Sequence, residues 1–175
     1  IQQTGKVGTD ISLPPTTFTG EQGANRVDKT GDGEDPFIKY RVKGIDSGMG
    51  RLTSITYSEP ECTPENKPSA DALDTNTKRC FPGYAQPDGY EKPRLDFYNK
   101  YVVTAVSDGD SGGFNPPTTT TYTYGGGAAW HYTDNDLQKK KYRTWDQWRG
   151  YSSVEQTTGI DTVKGRSVSY YLRGM

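Results

Sequence analysis

Short alternating segments separated by glycine-rich turns recur along this chain, and they restrict it to an all-β fold. Residues 37–43 (FIKYRVK) and 51–58 (RLTSITYS) alternate apolar and polar side chains on either side of a turn at 46–50, which is the pattern of a hairpin. The β-branched and aromatic run at 117–124 predicts another strand, and residues 95–106 hold the highest apolar density. No segment shows apolar residues at helical spacing over three turns. The sequence therefore predicts about eight short strands arranged as antiparallel hairpins.

The chain divides into an N-terminal arm and a longer β segment. Residues 1–35 are rich in Gly, Thr and Pro and hold few apolar anchors, so we expect an extended arm with one short strand around 16–19. Residues 36–175 form the antiparallel β segment. Within it, residues 59–93 carry both cysteines and most of the prolines, which predicts one long decorated loop. We expect residues 95–106 to form the most buried strand.

The C-terminal third predicts further strands. Residues 128–133 (AAWHYT) follow three consecutive glycines and are predicted to form a hairpin with the strand before them. Aromatic residues then recur at every third position between 142 and 151, a spacing that fits neither a helix nor a strand face, so we expect a bend near Arg149-Gly150. Strands are accordingly predicted at 142–148, 151–158 and 166–172.

The apolar content is too low for a self-sufficient core. Hydrophobic residues make up 30% of the chain, against roughly 45–50% in soluble domains. An aromatic share of 12% nevertheless argues against disorder. Each ring needs a facing surface, which a neighbouring segment of a longer polypeptide can supply. Since the chain opens at Ile1 without an initiator Met and stops at Met175 within strand-like sequence, we expect an excerpt of a larger protein.

Charge and hydropathy exclude two classes of partner. The net charge is −1 and the isoelectric point is near 5.9, so there is no electrostatic basis for nucleic-acid binding. No apolar run reaches the roughly 18 residues that a bilayer crossing requires. We therefore expect no nucleic acid and no membrane insertion by this segment.

The two cysteines favour a disulfide. Cys62 and Cys80 bracket a polar, proline-containing stretch, and the chain has no CxxC motif and one histidine, which makes zinc a poor alternative. Two unpaired buried thiols, as in a cytosolic protein, are the other interpretation. A Cys62–Cys80 disulfide predicts a secreted or cell-surface location.

Two features suggest catalysis at first sight, but neither is supported. Gly109-Asp110-Ser111-Gly112-Gly113 matches the nucleophile loop of chymotrypsin-like proteases. The single histidine, His131, follows Ser111 instead of preceding it, so we predict a turn at Ser111 and a cross-strand packing role for His131. No pair of carboxylates lies in an apolar setting. We expect no enzymatic activity and no cofactor.

An acidic stretch partly fits a calcium loop. Asp28, Asp32 and Asp35 place oxygens near glycines that allow a sharp turn. The twelfth position is Lys39 instead of a bidentate Glu, and there are no flanking helices. We predict an acidic surface turn, with a cation site as the weaker alternative.

Three tryptophans form the remaining candidate site. Trp130, Trp145 and Trp148, together with nearby tyrosines, could present a flat platform for sugar rings, or they could pack within the protein. Packing requires fewer assumptions. Glycan binding stays the alternative.

An ordered set of motifs covers nearly the whole chain. The motifs are LPPTTF at 13–18, NRVD at 25–28, PFIKYRV at 36–42, GRLTSITY at 50–57, SEPEC at 58–62, RCFP at 79–82, FYNKYVV at 97–103, AW at 129–130, the run at 142–156 and YLRGM at 171–175. This set resembles secreted YD-repeat (Rhs) proteins of high-GC Gram-positive bacteria and the related B component of insecticidal toxin complexes.

The resemblance implies a piece of a β-sheet shell that spirals around a C-terminal toxin or effector domain. The partners would be the remainder of the same polypeptide and the enclosed domain. The repeat period is poor, which fits a region that leads into regular repeats, and the autocleavage core known from the family lies outside this chain. The leading hypothesis is thus a non-catalytic structural segment of an exported shell; the alternative is a secreted carbohydrate- or cell-surface-binding β module.

Overall fold

The computed structural model describes residues 1–27, 29, 31–160 and 162–174. A 3₁₀ turn lies at Lys140–Tyr142, and the strands are β1 (Thr4–Gly5), β2 (Ile11–Ser12), β3 (Thr17–Ala24), β4 (Ile38–Asp46), β5 (Arg51–Tyr57), β6 (Cys80–Ala85), β7 (Arg94–Asn99), β8 (Val103–Asp110), β9 (Thr118–Gly125), β10 (Ala129–His131), β11 (Gln147–Gly150), β12 (Ser153–Ile160) and β13 (Val163–Tyr170). All strand pairs are antiparallel. The all-β antiparallel prediction is confirmed.

Seven strands form one sheet in the order β13-β12-β9-β8-β5-β4-β3. Along the chain, each strand of this sheet pairs with the next strand that belongs to the same sheet, so the seven strands form a meander. The predicted hairpin around residues 46–50 is confirmed, with Asp46 opposite Leu52. Gly48 and Gly50 turn the chain there with φ of +68° and +94°, values that favour glycine.

Two long excursions interrupt the meander at the same end of the sheet. One runs between the end of β5 at Tyr57 and the start of β8 at Val103, and the other runs between the end of β9 at Gly125 and the start of β12 at Ser153. These excursions contain the hairpins β6–β7 and β10–β11. Together with residues 25–27 we call them the terminal module.

The core lies in the terminal module. Its buried side chains are Arg26, Val27, Ser58, Cys62, Asn76, Cys80, Pro82, Phe97, Asn99, Ala128, Ala129, Trp130, Thr133 and Thr144. Every residue of the seven sheet strands is instead half-buried or exposed. The folded chain thus has a packed end and an uncovered sheet.

Several predicted elements are corrected in the N-terminal and central parts. The strand expected around 16–19 extends over Thr17–Ala24 and pairs with β4 along its length. The segment 59–93, predicted to be one long loop, contains β6, which pairs with β7. The single strand expected at 95–106 is two strands in different sheets, because the chain between them turns away and the Lys100 N–H donates to the Arg79 carbonyl at 2.6 Å.

The predicted hairpin of 117–124 with 128–133 is wrong. β9 pairs with β8 and β12, whereas β10 pairs with β11. Gly126 and Gly127 adopt φ of +82° and +68°, so the three-glycine segment leads the chain out of the sheet instead of folding it back.

The predicted strand at 142–148 is also wrong over most of its length. Side-chain hydrogen bonds hold a turn there instead: Gln138 Nε2 donates to the Tyr142 carbonyl at 2.7 Å, and Arg143 Nε donates to the Gln138 carbonyl at 3.0 Å. β11 begins only at Gln147 and ends at Gly150, whose φ of +76° makes the bend expected near Arg149-Gly150.

Candidate functional site

The predicted disulfide is present. Cys62 and Cys80 are bonded, with their Cα atoms 6.1 Å apart. Both are buried, and Cys80 is 0% exposed. The bond ties the loop that follows β5 to the first residue of β6, so it fixes the terminal module from inside.

Trp130 is a core residue, which agrees with the packing interpretation and removes Trp130 from the alternative sugar platform. Its side chain is 2% exposed. The ring stacks on Phe81 with centroids 4.7 Å apart and meets the edge of Trp148 at 4.8 Å. The indole N–H donates to the Lys78 carbonyl at 2.9 Å, so its one polar group is satisfied. A ring enclosed in this way has no face to offer a sugar.

The aromatic contacts continue from Trp148 to the sheet. Tyr151 packs edge-on against Trp148, with ring centroids 5.5 Å apart, and its ring lies tilted by 31° against that of Tyr124 of β9 at 4.7 Å. Burial raises the pKa of Tyr151 to about 12, because the charged phenolate loses water there. Trp148 is half-buried and has the Lys100 ammonium 5.7 Å from its ring. These rings join the terminal module to the end of the sheet.

Trp145 lies apart from the other two tryptophans. It is half-buried and meets the exposed Tyr132 edge-on at 5.9 Å. The structure therefore brings Trp130 and Trp148 together and leaves Trp145 in a separate pair. The three indoles do not form one exposed platform.

Ser111 and His131 lie at opposite ends of the sheet. Ser111 is in the turn after β8, where its N–H donates to the Gly50 carbonyl at 2.9 Å. The neighbouring Asp110 carboxylate accepts the N–H groups of Phe114 and Asn115, which lowers its pKa. His131 is in β10, opposite Gln147. The turn predicted at Ser111 and the strand position predicted for His131 are confirmed.

Arg26 pairs with the carboxylate of Asp32 in the acidic stretch. Arg26, whose side chain is 8% exposed, donates to Asp96 Oδ2 at 2.5 Å and also binds the Asp32 carboxylate. The hydrogen bond from Arg26 is the largest cause of the lowered pKa of Asp32, and a bond from the Glu34 N–H adds to it. The pKa of Arg26 is raised in turn.

The calcium alternative finds no further basis in the described residues. Asp35 is exposed, and Asp28 lies outside the described residues. In the described ranges no group of three or more His, Cys, Asp or Glu side chains has an arrangement that holds a metal. Sequence reasoning missed Arg26 because its partner Asp96 is 70 residues away.

An open cavity adjoins this charged cluster. It lies between residues 33–37 and residues 85–98 and has a volume of about 530 Å³. Glu34 extends into it with a side chain that is 9% exposed and forms an ion pair with Arg94. Arg94 also stacks over the Tyr90 ring, 4.7 Å from its centroid, and donates to the Tyr90 hydroxyl at 3.0 Å. No periodic pattern in the sequence indicates this site, because its walls come from two loops and a hairpin.

The uncovered sheet is the second candidate surface. All eight residues of β13 are exposed, and Tyr40 of β4 and Tyr170 of β13 are 72% and 83% exposed. β13 pairs with β12 over eight residues without a register shift, whereas β3 at the other edge has a shift between Thr19 and Gly20. A regular edge strand offers unpaired backbone groups in sequence, and a bulge interrupts them.

Comparison with known proteins finds no match: no family model, no curated protein and no solved structure matches this chain. Within the part of the chain that the structure describes, no helix is long and apolar enough to cross a membrane. Function has to be argued from the contacts and surfaces of the chain itself.

Proposed function

We propose that this chain is a structural segment of an exported YD-repeat-like β-sheet shell. It forms part of the shell wall and catalyses no reaction. The observation that carries the proposal is the seven-stranded sheet, none of whose strand residues is buried. Sheets in globular domains cover at least one face with a second layer. Here the packed residues lie beyond one end of the sheet instead, so both faces are available to other parts of a larger assembly.

The exposed apolar side chains support the idea that the faces of the sheet are covered in the assembled shell. Tyr40, Leu52, Val168 and Tyr170 are each at least 40% exposed. Burying about 100 Å² more of one such aromatic ring would stabilise the sheet by on the order of 2 kcal/mol. In a spiral shell the adjacent turns of the same polypeptide and the enclosed effector domain would supply these contacts.

The β13 edge supports continuation of the wall. The Tyr171 N–H donates to the Ser152 carbonyl at 2.9 Å, and backbone groups in an antiparallel ladder alternate in direction. Lys164, Arg166, Val168 and Tyr170 therefore point their N–H and C=O groups away from β12. One additional antiparallel strand of the same polypeptide would satisfy all of them.

An exported location is consistent with the Cys62–Cys80 bond, because disulfides persist in oxidising compartments. The bond also stabilises the terminal module without the need for a larger apolar core. Both properties suit a shell that works outside the cell.

Hydrogen exchange of the β13 amides tests the proposal. Four amides should exchange at unprotected rates in the 175-residue chain, those of Lys164, Arg166, Val168 and Tyr170. The same amides should be protected in the longer polypeptide of the proposed shell. The amides of Phe81 and Tyr98, which lie opposite each other in the β6–β7 hairpin, serve as the matched control and should be protected in both.

Two results would contradict the wall function. One is equal, unprotected exchange of the four outward amides in both polypeptides, since no neighbouring strand would then exist. The other is a substrate turned over by the chain, which a structural segment does not have.

A further inference from the structure

We propose that the cavity between residues 33–37 and 85–98 binds an organic cation, namely an ammonium or guanidinium head on an alkyl chain. The volume of about 530 Å³ suits a small ligand or one long side chain. The proposal is independent of the shell, because it concerns the terminal module.

The charges of the cavity favour a cation. Four carboxylates and two guanidinium groups line it, the carboxylates being Glu34, Asp35, Asp88 and Asp96 and the guanidinium groups being Arg26 and Arg94. Both arginines already form ion pairs with the inner carboxylates of Glu34 and Asp96. Their positive charges are therefore compensated, and an anion would gain little from binding there. Asp35 and Asp88 lie at the exposed rim from opposite walls, and no ion pair joins either to another described residue.

The aromatic walls select an organic cation over a metal ion. Phe37, Tyr90 and Tyr98 line the cavity, and the first two are 48% and 44% exposed. The faces of such rings attract ammonium and guanidinium groups, and both exposed rings show this within the chain. The Lys39 ammonium lies 4.2 Å from the centroid of Phe37, and Arg94 lies over Tyr90. Rings offer no ligand to a hard metal ion.

The carboxylates that remain for a ligand lie at the rim of the cavity. Glu34, whose side chain is 9% exposed, forms ion pairs with both Arg94 and Arg26, so its charge is compensated within the chain. Asp35 and Asp88 line the cavity and are exposed. The N–H groups of a bound ammonium or guanidinium would therefore contact Asp35 and Asp88, with the exposed rings beside them.

Titration of the ¹⁵N-labelled chain tests the site. Agmatine and putrescine are the cationic probes, and 1,4-butanediol is the uncharged probe of matched length. We expect saturable shifts of the Phe37, Tyr90 and Arg94 amides with dissociation constants on the order of 1 mM for the cations, and no saturation with the diol. Equal responses to putrescine and butanediol, or shifts that begin elsewhere, would overturn the proposal.

Variants sharpen the test. Asp35→Asn with Asp88→Asn removes two exposed charges without a change of shape and should weaken agmatine binding about fivefold, and Tyr90→Leu should weaken it about threefold. Asp74→Asn, which removes an exposed carboxylate outside the cavity, is the matched control and should bind as the unmodified chain does. Unchanged affinity in both the rim double variant and Tyr90→Leu would refute cation recognition here.

A further titration distinguishes the source of the cation. The peptide acetyl-Gly-Arg-Gly-amide carries the guanidinium on a backbone. If it binds at least as tightly as agmatine, the cavity takes the side chain of a protein partner; if agmatine binds more tightly, it takes a free amine.

Discussion

The terminal module and the seven-stranded sheet are built from similar residues but are stabilised in different ways. Tyrosines occur in both, yet Tyr151 is packed between Trp148 and Tyr124, whereas Tyr40 is 72% exposed on β4. In the module, side-chain packing and a disulfide add to backbone pairing. In the sheet, backbone pairing acts nearly alone. Aromatic content therefore does not measure core size; the position of the rings in the topology does.

This difference implies unequal local stability. Regions with few buried apolar contacts open at lower free energy than the packed core of the same chain. The sheet should consequently open before the module, beginning at β13, whose residues are all exposed.

Removal of the Trp130 ring should have the largest effect. Trp130→Ala creates a cavity beside Phe81 and leaves the Lys78 carbonyl without its donor, so we expect a loss of about 3–5 kcal/mol of unfolding free energy. Tyr40→Ala in the sheet is the control and should change it by less than about 0.5 kcal/mol. Urea denaturation followed by circular dichroism measures both. Equal losses would show that the module and the sheet share one packed core.

Removal of the disulfide should have the next largest effect. The double variant Cys62→Ser with Cys80→Ser removes a crosslink between residues 18 positions apart in sequence. We expect it to lower the unfolding free energy by about 3 kcal/mol. The loss should lower the exchange protection of β6 and β7 amides much more than that of β8 and β9 amides. Uniform loss of protection across both regions would contradict a module held by its own crosslink.

Titration of Tyr151 should have the smallest effect and depends on pH. Its pKa is about 12 in the folded chain because of burial, above the value of about 10 in an unfolded chain. The neutral phenol therefore contributes stability that is fully present below pH 10 and is lost as the pH rises towards 12. Tyr151→Phe cannot ionise, so its melting temperature should fall less steeply between pH 10 and 12.

The unmodified chain, measured in the same buffers, is the reference for this pH dependence. An unchanged slope in Tyr151→Phe would mean that water reaches the Tyr151 hydroxyl in the folded state.

Local patterns in the sequence were sufficient to predict part of the fold. The β4–β5 hairpin follows from alternation around Gly48 and Gly50, and the strand at 118–125 follows from β-branched and aromatic residues. The disulfide follows from the absence of other uses for two cysteines. All of these depend on residues close in sequence or on residue type alone.

Features set by long-range contacts could not be predicted. Packing is the favoured interpretation of Trp130, but its partners Phe81 and Lys78 are about 50 residues away in sequence and no local pattern indicates them. The pairing of Arg26 with Asp96 depends on the β7 segment lying beside residues 25–27. The choice of β12 over β10 as the partner of β9 depends on the backbone direction at Gly126 and Gly127. The YD-repeat resemblance remains a prediction.

The number of strands in the sheet limits how such units can combine. Seven alternating strands give β3 and β13 the same direction, so copies related by simple translation would meet in a parallel pair at every junction. An unbroken antiparallel wall requires an even number of strands per translational unit. An antiparallel strand that continues this sheet beyond β13 must run opposite to β13, and identical seven-stranded units related by translation alone cannot form an unbroken antiparallel filament.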